Sequence, residues 1–155
     1  QLMEEIFFSF TFSGETLSLA AALATMQKLE REPVTDTLYK QGRKVIDGLK
    51  TRIAAAGAED FLGTAGNPTW NFFLIKDTAN YSQWQIKTLF LQEMFARGIL
   101  TIGTHNMSYS HTDADLDKLF NAYDEVIPML VEGVRGNKFE SMLRCQPLEP
   151  LFKVR

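Results

Sequence analysis

The chain has 155 residues, of which 45% are apolar and twelve are phenylalanine, so it is long enough for one domain with a core and too apolar for a disordered chain. A net charge of −3 with no long basic block excludes a typical nucleic-acid surface, and no apolar run approaches the roughly 18 residues of a membrane span. The single cysteine, Cys145, excludes an internal disulfide framework and indicates a reducing compartment, so we expect a cytoplasmic protein.

The first residues have the sequence pattern of a segment that begins earlier in a longer chain. Residues 1–6 are typical of a helix end, and position 1 is Gln1 rather than methionine, so we expect a fragment of a longer protein. Residues 6–12 are aromatic-rich and are expected to be extended or to form a buried loop. Their phenylalanines are more typical of a core or a subunit interface than of cofactor stacking.

A glycine-punctuated loop follows and opens into an alanine-rich helix. Residues 11–18 read Thr-Phe-Ser-Gly-Glu-Thr-Leu-Ser, and an apolar side predicts a helix over 16–31 with Thr16 as its N-cap. Backbone N–H groups and hydroxyls at a helix start form an anion site, for which phosphate is the usual ligand. Thr11 and Ser13 are therefore candidate phosphate ligands; the alternative for Thr11 is an ordinary threonine beside a turn.

The rest of the chain mixes helical and strand periods and predicts an α+β fold. We expect helices over 34–56, 82–97 with Ser82 as N-cap, and from a Thr112 N-cap to about Gly133; strands over 70–76, 99–102 and 107–111; and a loop over 103–106. Short strands among helices indicate a small, largely antiparallel sheet with helices packed on one face. The tail after Gly136 has no clear period.

Both histidines lie near the predicted loop. Imidazole and amide groups at His105 and Asn106 suit a hydrogen bond to a carboxylate or a sugar hydroxyl, although an exposed turn explains them equally well. His111 is expected to pack or hydrogen-bond beside the Thr112 cap. Two histidines without a nearby cysteine predict no metal site, and the acidic residues after Thr112 predict a capped helix rather than a calcium loop.

Two segments resemble one enzyme family. Residues 11–22 are similar to the Thr-x-x-Gly-Asn-Pro-Leu-x-x-Ala-Ala signature of class III pyridoxal-phosphate-dependent aminotransferases. Residues 95–101 and 108–117 resemble that family's Arg-Gly-Val/Ile strand and its Ser-x-Ala-His-Thr-x-x-Asp-Ile-Asp helix start. The likeness is greatest to the glutamate-1-semialdehyde aminomutases and covers most of residues 1–135. Glu15 and Thr16 replace the family's Asn-Pro, which weakens any choice of subfamily.

The resemblance implies the carboxy-terminal portion of a fold-type I enzyme. Residues 1–15 would end the large cofactor-binding domain and include the Thr-x-x-Gly loop. Residues 16–135 would form a helical connector and the C-terminal small domain, and residues 136–155 a tail. The implied partners are a second copy of the same full-length chain, a small-molecule amino donor and a carbonyl acceptor, without nucleic acid or membrane.

The resemblance also implies a cofactor and site residues. The cofactor would be pyridoxal 5'-phosphate, its phosphate bound across the dimer interface by the Thr11 hydroxyl and the Phe10 N–H, with Ser13 beside them. His105 and Asn106 would face the substrate.

The residue that performs the chemistry in this family is expected to lie outside the chain. The family's Schiff-base lysine precedes the Thr-x-x-Gly motif, and no lysine occurs here before Lys28. We therefore expect no catalytic residue in these 155 residues and no transamination by them alone. The alternative is a non-catalytic α+β interaction module that binds a partner through its helical faces or its phenylalanine-rich segment.

Overall fold

A computed structural model describes residues 14–149 of the chain. The described part contains five helices and three strands: α1 Thr16–Arg31, α2 Val34–Ala55, β1 Leu62–Asn67, β2 Trp70–Ile75, α3 Gln83–Ala96, β3 Thr104–Asn106, α4 Asp113–Arg135 and α5 Phe139–Met142. Its contacts divide the chain into two units, residues 1–37 and 38–155. The predicted α+β fold is confirmed. Along residues 14–149, no helix has an apolar stretch of the length that a membrane crossing requires.

Helix α1, in the first unit, has the predicted bounds but no buried residue. Leucine and alanine favour helix intrinsically, so the segment has good local propensity. Its larger apolar side chains are nevertheless open to solvent, with Leu17 76% and Leu19 56% exposed. The apolar side of this helix was expected to be buried, but no described residue buries it.

The sheet of the second unit is antiparallel, with the strand order β1-β2-β3. A tight turn at Pro68 joins β1 to β2, and the Thr69 hydroxyl donates to Asn67 Oδ1 over 3.0 Å. The predicted strand over 70–76 is confirmed as β2. Phe73 of β2 pairs with Thr64 of β1, and this register fixes which side chains of each strand share a face.

The third strand differs from its prediction. Residues 99–102 and 107–111 were expected to be strands around a loop, whereas the strand is β3, within the predicted loop. Gly103 adopts a φ of 91°, which favours glycine, and its carbonyl accepts from the Phe73 N–H. The Thr101 hydroxyl accepts from the Gly103 N–H. These bonds turn the chain at Gly103, so that it joins the sheet only from Thr104 onward.

The core lies between one face of the sheet and the helices of the second unit. Phe73 packs against Phe90 of α3 and Tyr123 of α4, with ring centroids 4.8 Å and 5.7 Å apart. Leu49 of α2 is also fully buried. On the opposite face of β2, Trp70 is 57% exposed. The helices therefore cover one face of the sheet, as predicted.

Local signals at the helix ends are confirmed. Ser82 and Thr112 each form a capping box, in which the cap side chain and the third helical residue exchange hydrogen bonds with the backbone. Gly57 and Gly98, which follow α2 and α3, have φ values of 58° and 72°, which favour glycine at a helix end. Ser82 and Gly98 bound α3, whereas Gly57 marks the end of α2 and Thr112 the start of α4.

The segment after α4 is packed rather than free, which the sequence did not indicate. Gln92 Nε2 donates to the Met142 carbonyl over 3.0 Å, and Gln92 Oε1 accepts from the Arg144 N–H over 2.7 Å. The Leu148 N–H donates to the Thr88 hydroxyl over 2.8 Å. Two polar side chains of α3 thus bind the backbone of this segment along the helix.

Candidate functional site

Strand β3 places its two predicted site residues on opposite faces of the sheet. His105 lies across from Asn71 on the helix-covered face, whereas Asn106 lies across from Trp70 on the open face. His105 is 8% exposed and Asn106 is exposed. Because successive residues of a strand alternate in direction, the two side chains cannot act on one small ligand from the same face.

His105 forms a buried pair with Tyr123. His105 Nε2 lies 2.6 Å from the Tyr123 hydroxyl oxygen, and Tyr123 is fully buried. Burial lowers the pKa of His105 to about 4, against the smaller opposing effect of the Asn71 backbone. Burial also raises the pKa of the Tyr123 phenol. Both groups are therefore neutral near pH 7, so the pair can exchange a hydrogen bond but carries no charge.

The sequence pattern did not indicate a polar role for Tyr123. It lies seven residues after Leu116 and three before Val126, on the buried stripe of α4. A buried tyrosine hydroxyl normally finds a hydrogen-bond partner, so this position signals a polar contact inside the core. Only the packing of α4 on the sheet identifies that partner as His105.

A cavity of about 460 Å³ adjoins β3 and the first turns of α4. Its polar lining includes His105, Asn106, His111 and Lys118. His111 Nδ1 accepts from the Ser108 N–H over 3.2 Å, so Nε2 carries the proton of the neutral ring and can donate. Both predicted substrate residues therefore contribute to the cavity lining, although their side chains leave β3 in opposite directions, and the lining adds a donor and a cation that were not predicted there.

His111 itself behaves as expected. Its carbonyl accepts from Gln41 Nε2 over 2.7 Å, and its ring holds the turn before Thr112. In the described part of the chain, no three His, Cys, Asp or Glu side chains converge as metal ligands. The acidic residues after Thr112 serve the capped helix, because Asp115 Oδ2 accepts from the Thr112 N–H over 2.8 Å.

The start of α1 differs from the predicted anion site. The N-cap is Glu15 and not Thr16, because the Glu15 carboxylate reaches the N–H groups of Leu17 and Ser18 at 2.8 Å and 2.6 Å. Hydrogen bonds from the Ser18 side chain and from those two N–H groups lower the pKa of Glu15. A carboxylate already occupies these amides, so this helix start does not fit a phosphate group.

The predicted cofactor ligands Phe10, Thr11 and Ser13 lie outside the described residues. So does the phenylalanine-rich segment over 6–12. Their roles stay predictions that rest on the resemblance.

Comparison with known proteins finds several relatives that share one enzyme name. The chain is 27% identical over 129 residues to the glutamate-1-semialdehyde 2,1-aminomutase of Desulfatibacillum aliphaticivorans, covering 77% of this chain and 30% of that protein. It is 27% identical over 138 residues to the enzyme of the same name from Desulforudis audaxviator, covering 79% and 31%. The chain is similar to glutamate-1-semialdehyde 2,1-aminomutases. This confirms the resemblance drawn from the two motifs.

The aligned segment is less than a third of each of these relatives. The enzyme of the same name from Syntrophobacter fumaroxidans is 28% identical over 116 residues, which cover 69% of this chain and 27% of that protein. The chain thus spans about 30% of the length of the curated relatives that it matches. No family model matches the chain, and no solved structure matches it.

Proposed function

We propose that the chain is the C-terminal part of a pyridoxal-phosphate-dependent class III aminotransferase or aminomutase. The observation that carries the proposal is the alignment of more than three quarters of the chain with aminomutases about three times its length. The whole protein would transfer an amino group between an amino donor and an oxo acid, an aldehyde or an oxo sugar. It would be a cytoplasmic homodimer.

The cofactor would be pyridoxal 5'-phosphate, which supplies an electron sink for bonds broken at the substrate's α-carbon. In this proposal the Thr11 hydroxyl and the Phe10 N–H bind its phosphate in the partner subunit's site, and Ser13 shapes the same loop. The amides of Leu17 and Ser18 are already bonded to Glu15, so the proposal puts this role in the loop before α1 and not at the helix start.

The substrate would meet the β3 edge of the second unit. Asn106 is exposed there and offers an amide donor and acceptor. His105 would contribute from the cavity as a neutral imidazole, because its pKa of about 4 keeps it uncharged at working pH. The pairing of His105 with Tyr123 supports a role in fixing the β3 edge on which Asn106 lies.

A cofactor titration tests the proposal. Pyridoxal phosphate added to the 155-residue chain is expected to give no absorbance band of a cofactor bound to a specific lysine, because the family's lysine lies upstream. The longer gene product should bind the cofactor stoichiometrically. A gene product with no lysine upstream of Gln1 would contradict the proposal.

A substitution tests the role of Thr11. Thr11→Ala in the longer protein should weaken retention of pyridoxal phosphate, whereas Thr25→Ala, on the exposed surface of α1, is the control. Unchanged retention of the cofactor in Thr11→Ala would contradict the role of Thr11.

The second candidate is a non-catalytic interaction module. The exposed apolar side chains of α1 favour it, since uncovered leucines are typical of a surface that binds another protein surface. The interaction module would be supported if the chain is encoded as a separate 155-residue protein and binds no pyridoxal phosphate, alone or with a partner.

A further inference from the structure

One face of the three-stranded sheet carries no charged residue. Residues that pair directly across antiparallel strands lie on the same face, so the register defines this outer sheet face completely. Its members are Gly63, Ala65 and Asn67 of β1, Trp70, Phe72 and Leu74 of β2, and Thr104 and Asn106 of β3.

The apolar side chains of the outer sheet face are open to solvent. Trp70 is 57% and Leu74 37% exposed, and the rings of Trp70 and Phe72 have centroids 5.3 Å apart. Ile102, in the loop before β3, is 66% exposed and lines one depression with Phe72 and Leu74. The exposed residues are thus contiguous rather than scattered.

The sequence of β2 fits a strand that is covered on both sides. An antiparallel strand with one wet face alternates apolar and polar residues. In Trp-Asn-Phe-Phe-Leu-Ile, the helix-covered face holds the polar Asn71 with Phe73 and Ile75, whereas all three residues of the outer face, Trp70, Phe72 and Leu74, are apolar. The more apolar face of β2 is therefore the one that the second unit leaves uncovered.

We propose that the outer sheet face is an intramolecular interface, covered by an apolar surface of the part of the longer polypeptide that this chain does not span. This inference rests on the proposed function. The aligned 129 residues make up 30% of the relative from Desulfatibacillum aliphaticivorans, so that relative has more than enough further chain to cover the sheet. The face has no charge to desolvate, as expected for a permanent interface rather than a transient one.

Oxidative footprinting read by mass spectrometry tests the interface. Trp70 and Leu74 should be labelled rapidly in the 155-residue chain and several-fold more slowly in the longer gene product. Leu148, which is 41% exposed on another surface of the second unit, reports general changes in labelling. Equal labelling of Trp70 in the two proteins would overturn the proposal, as would a gene that encodes no longer polypeptide.

A matched pair of substitutions gives a second readout. Leu74→Thr removes an apolar side chain from the outer sheet face, and Leu148→Thr makes the same change at a similarly exposed position. Leu74→Thr is expected to leave the melting temperature of the 155-residue chain nearly unchanged and to lower that of the longer protein by several degrees. Leu148→Thr should affect both proteins equally and slightly.

Other occupants are distinguished by these measurements. If a second copy of the chain covers the face, the 155-residue chain will be a dimer by light scattering, and Leu74→Thr will dissociate it; that result overturns the proposal. If the longer protein binds no pyridoxal phosphate, the proposed function is wrong, but Trp70 of that protein should still be labelled slowly. The two proposals therefore fail by different observations.

Discussion

At the scale of single residues, the charge states of the buried His105 and Glu93 follow from their surroundings. His105 has a hydroxyl as its side-chain partner and is kept neutral by burial. Glu93 of α3 is 3% exposed, and its carboxylate contacts two guanidinium groups, Arg97 at 2.8 Å and Arg144 at 3.0 Å. Burial raises the pKa of Glu93, but hydrogen bonds from Gln92 and Arg97 and the two positive charges outweigh it, so the pKa lies below its usual range.

Replacing His105 should remove a pH dependence of stability. The folded chain keeps His105 neutral down to about pH 4, whereas the unfolded chain protonates it near pH 6.5, so falling pH favours unfolding between those values. The wild-type free energy of unfolding should drop by roughly 2 to 3 kcal/mol more than that of His105→Gln between about pH 7 and pH 4.5. Urea titrations at both pH values measure this, and His111→Gln should retain the loss. Equal losses in His105→Gln and wild type would show that His105 is not the group responsible.

Neutralising Glu93 should destabilise the chain far more than neutralising its neighbour. Glu93→Gln leaves Arg97 and Arg144 without their buried carboxylate, and breaking such a pair costs about 3 kcal/mol. Glu125→Gln removes a carboxylate that also binds Arg97 but is 65% exposed, so it should cost less than about 1 kcal/mol. Chemical denaturation of both variants at neutral pH compares them. Similar losses in the two would mean that burial of Glu93 adds nothing to the ion pair.

At the scale of elements, close backbone contacts decide how helices meet the sheet. Gly42 lies in α2 where a Cβ would overlap the carbonyl group of Pro68, in the turn between β1 and β2. The missing side chain therefore lets α2 approach the turn. Nothing in the sequence around Gly42 distinguishes it from an ordinary helical glycine, so this contact was not predicted.

Adding one methyl group at Gly42 should separate α2 from the turn. Gly42→Ala is expected to destabilise the chain by at least about 2 kcal/mol, since a backbone carbonyl cannot move aside as a flexible side chain does. Gly57→Ala is the control: its φ of 58° strains alanine by about 1 kcal/mol, but the nearest atom to an added Cβ is 3.9 Å away on Arg135. Thermal unfolding monitored by circular dichroism gives both values. A Gly42→Ala loss no larger than that of Gly57→Ala would show that α2 does not need this approach.

At the scale of the whole molecule, the described residues leave two apolar surfaces open to solvent. Helix α1 buries none of its residues, and the outer sheet face leaves Trp70 and Leu74 uncovered. The second unit nevertheless has a core of its own, which includes Leu49, Phe90 and Tyr123. A buried core beside uncovered apolar surfaces is the arrangement that the proposed intramolecular interface requires.

The two units should therefore differ in local stability. An isolated helix of 16 residues is marginal in water when tertiary packing does not support it, so the amides of α1 should exchange almost as fast as those of an unstructured peptide. The amides around Val126 in α4, which is fully buried, should exchange only on global unfolding. Hydrogen–deuterium exchange of the dilute 155-residue chain measures both. Protection of α1 equal to that of α4 would contradict this expectation.

The sequence by itself determined the α+β class, the bounds of α1, the caps at Ser82 and Thr112 and the family resemblance, because these depend on local periods, hydroxyl caps and short motifs. It placed the last strand wrongly, because Ile99 to Ile102 have the composition of a strand and only the bonds at Gly103 decide where pairing begins. It predicted Thr16 as the N-cap, whereas the cap is Glu15, whose carboxylate accepts from the N–H groups of Leu17 and Ser18. Only the tertiary structure paired His105 with Tyr123, placed Asn106 on the other face and left the outer sheet face uncovered, since these depend on contacts between residues far apart in the chain.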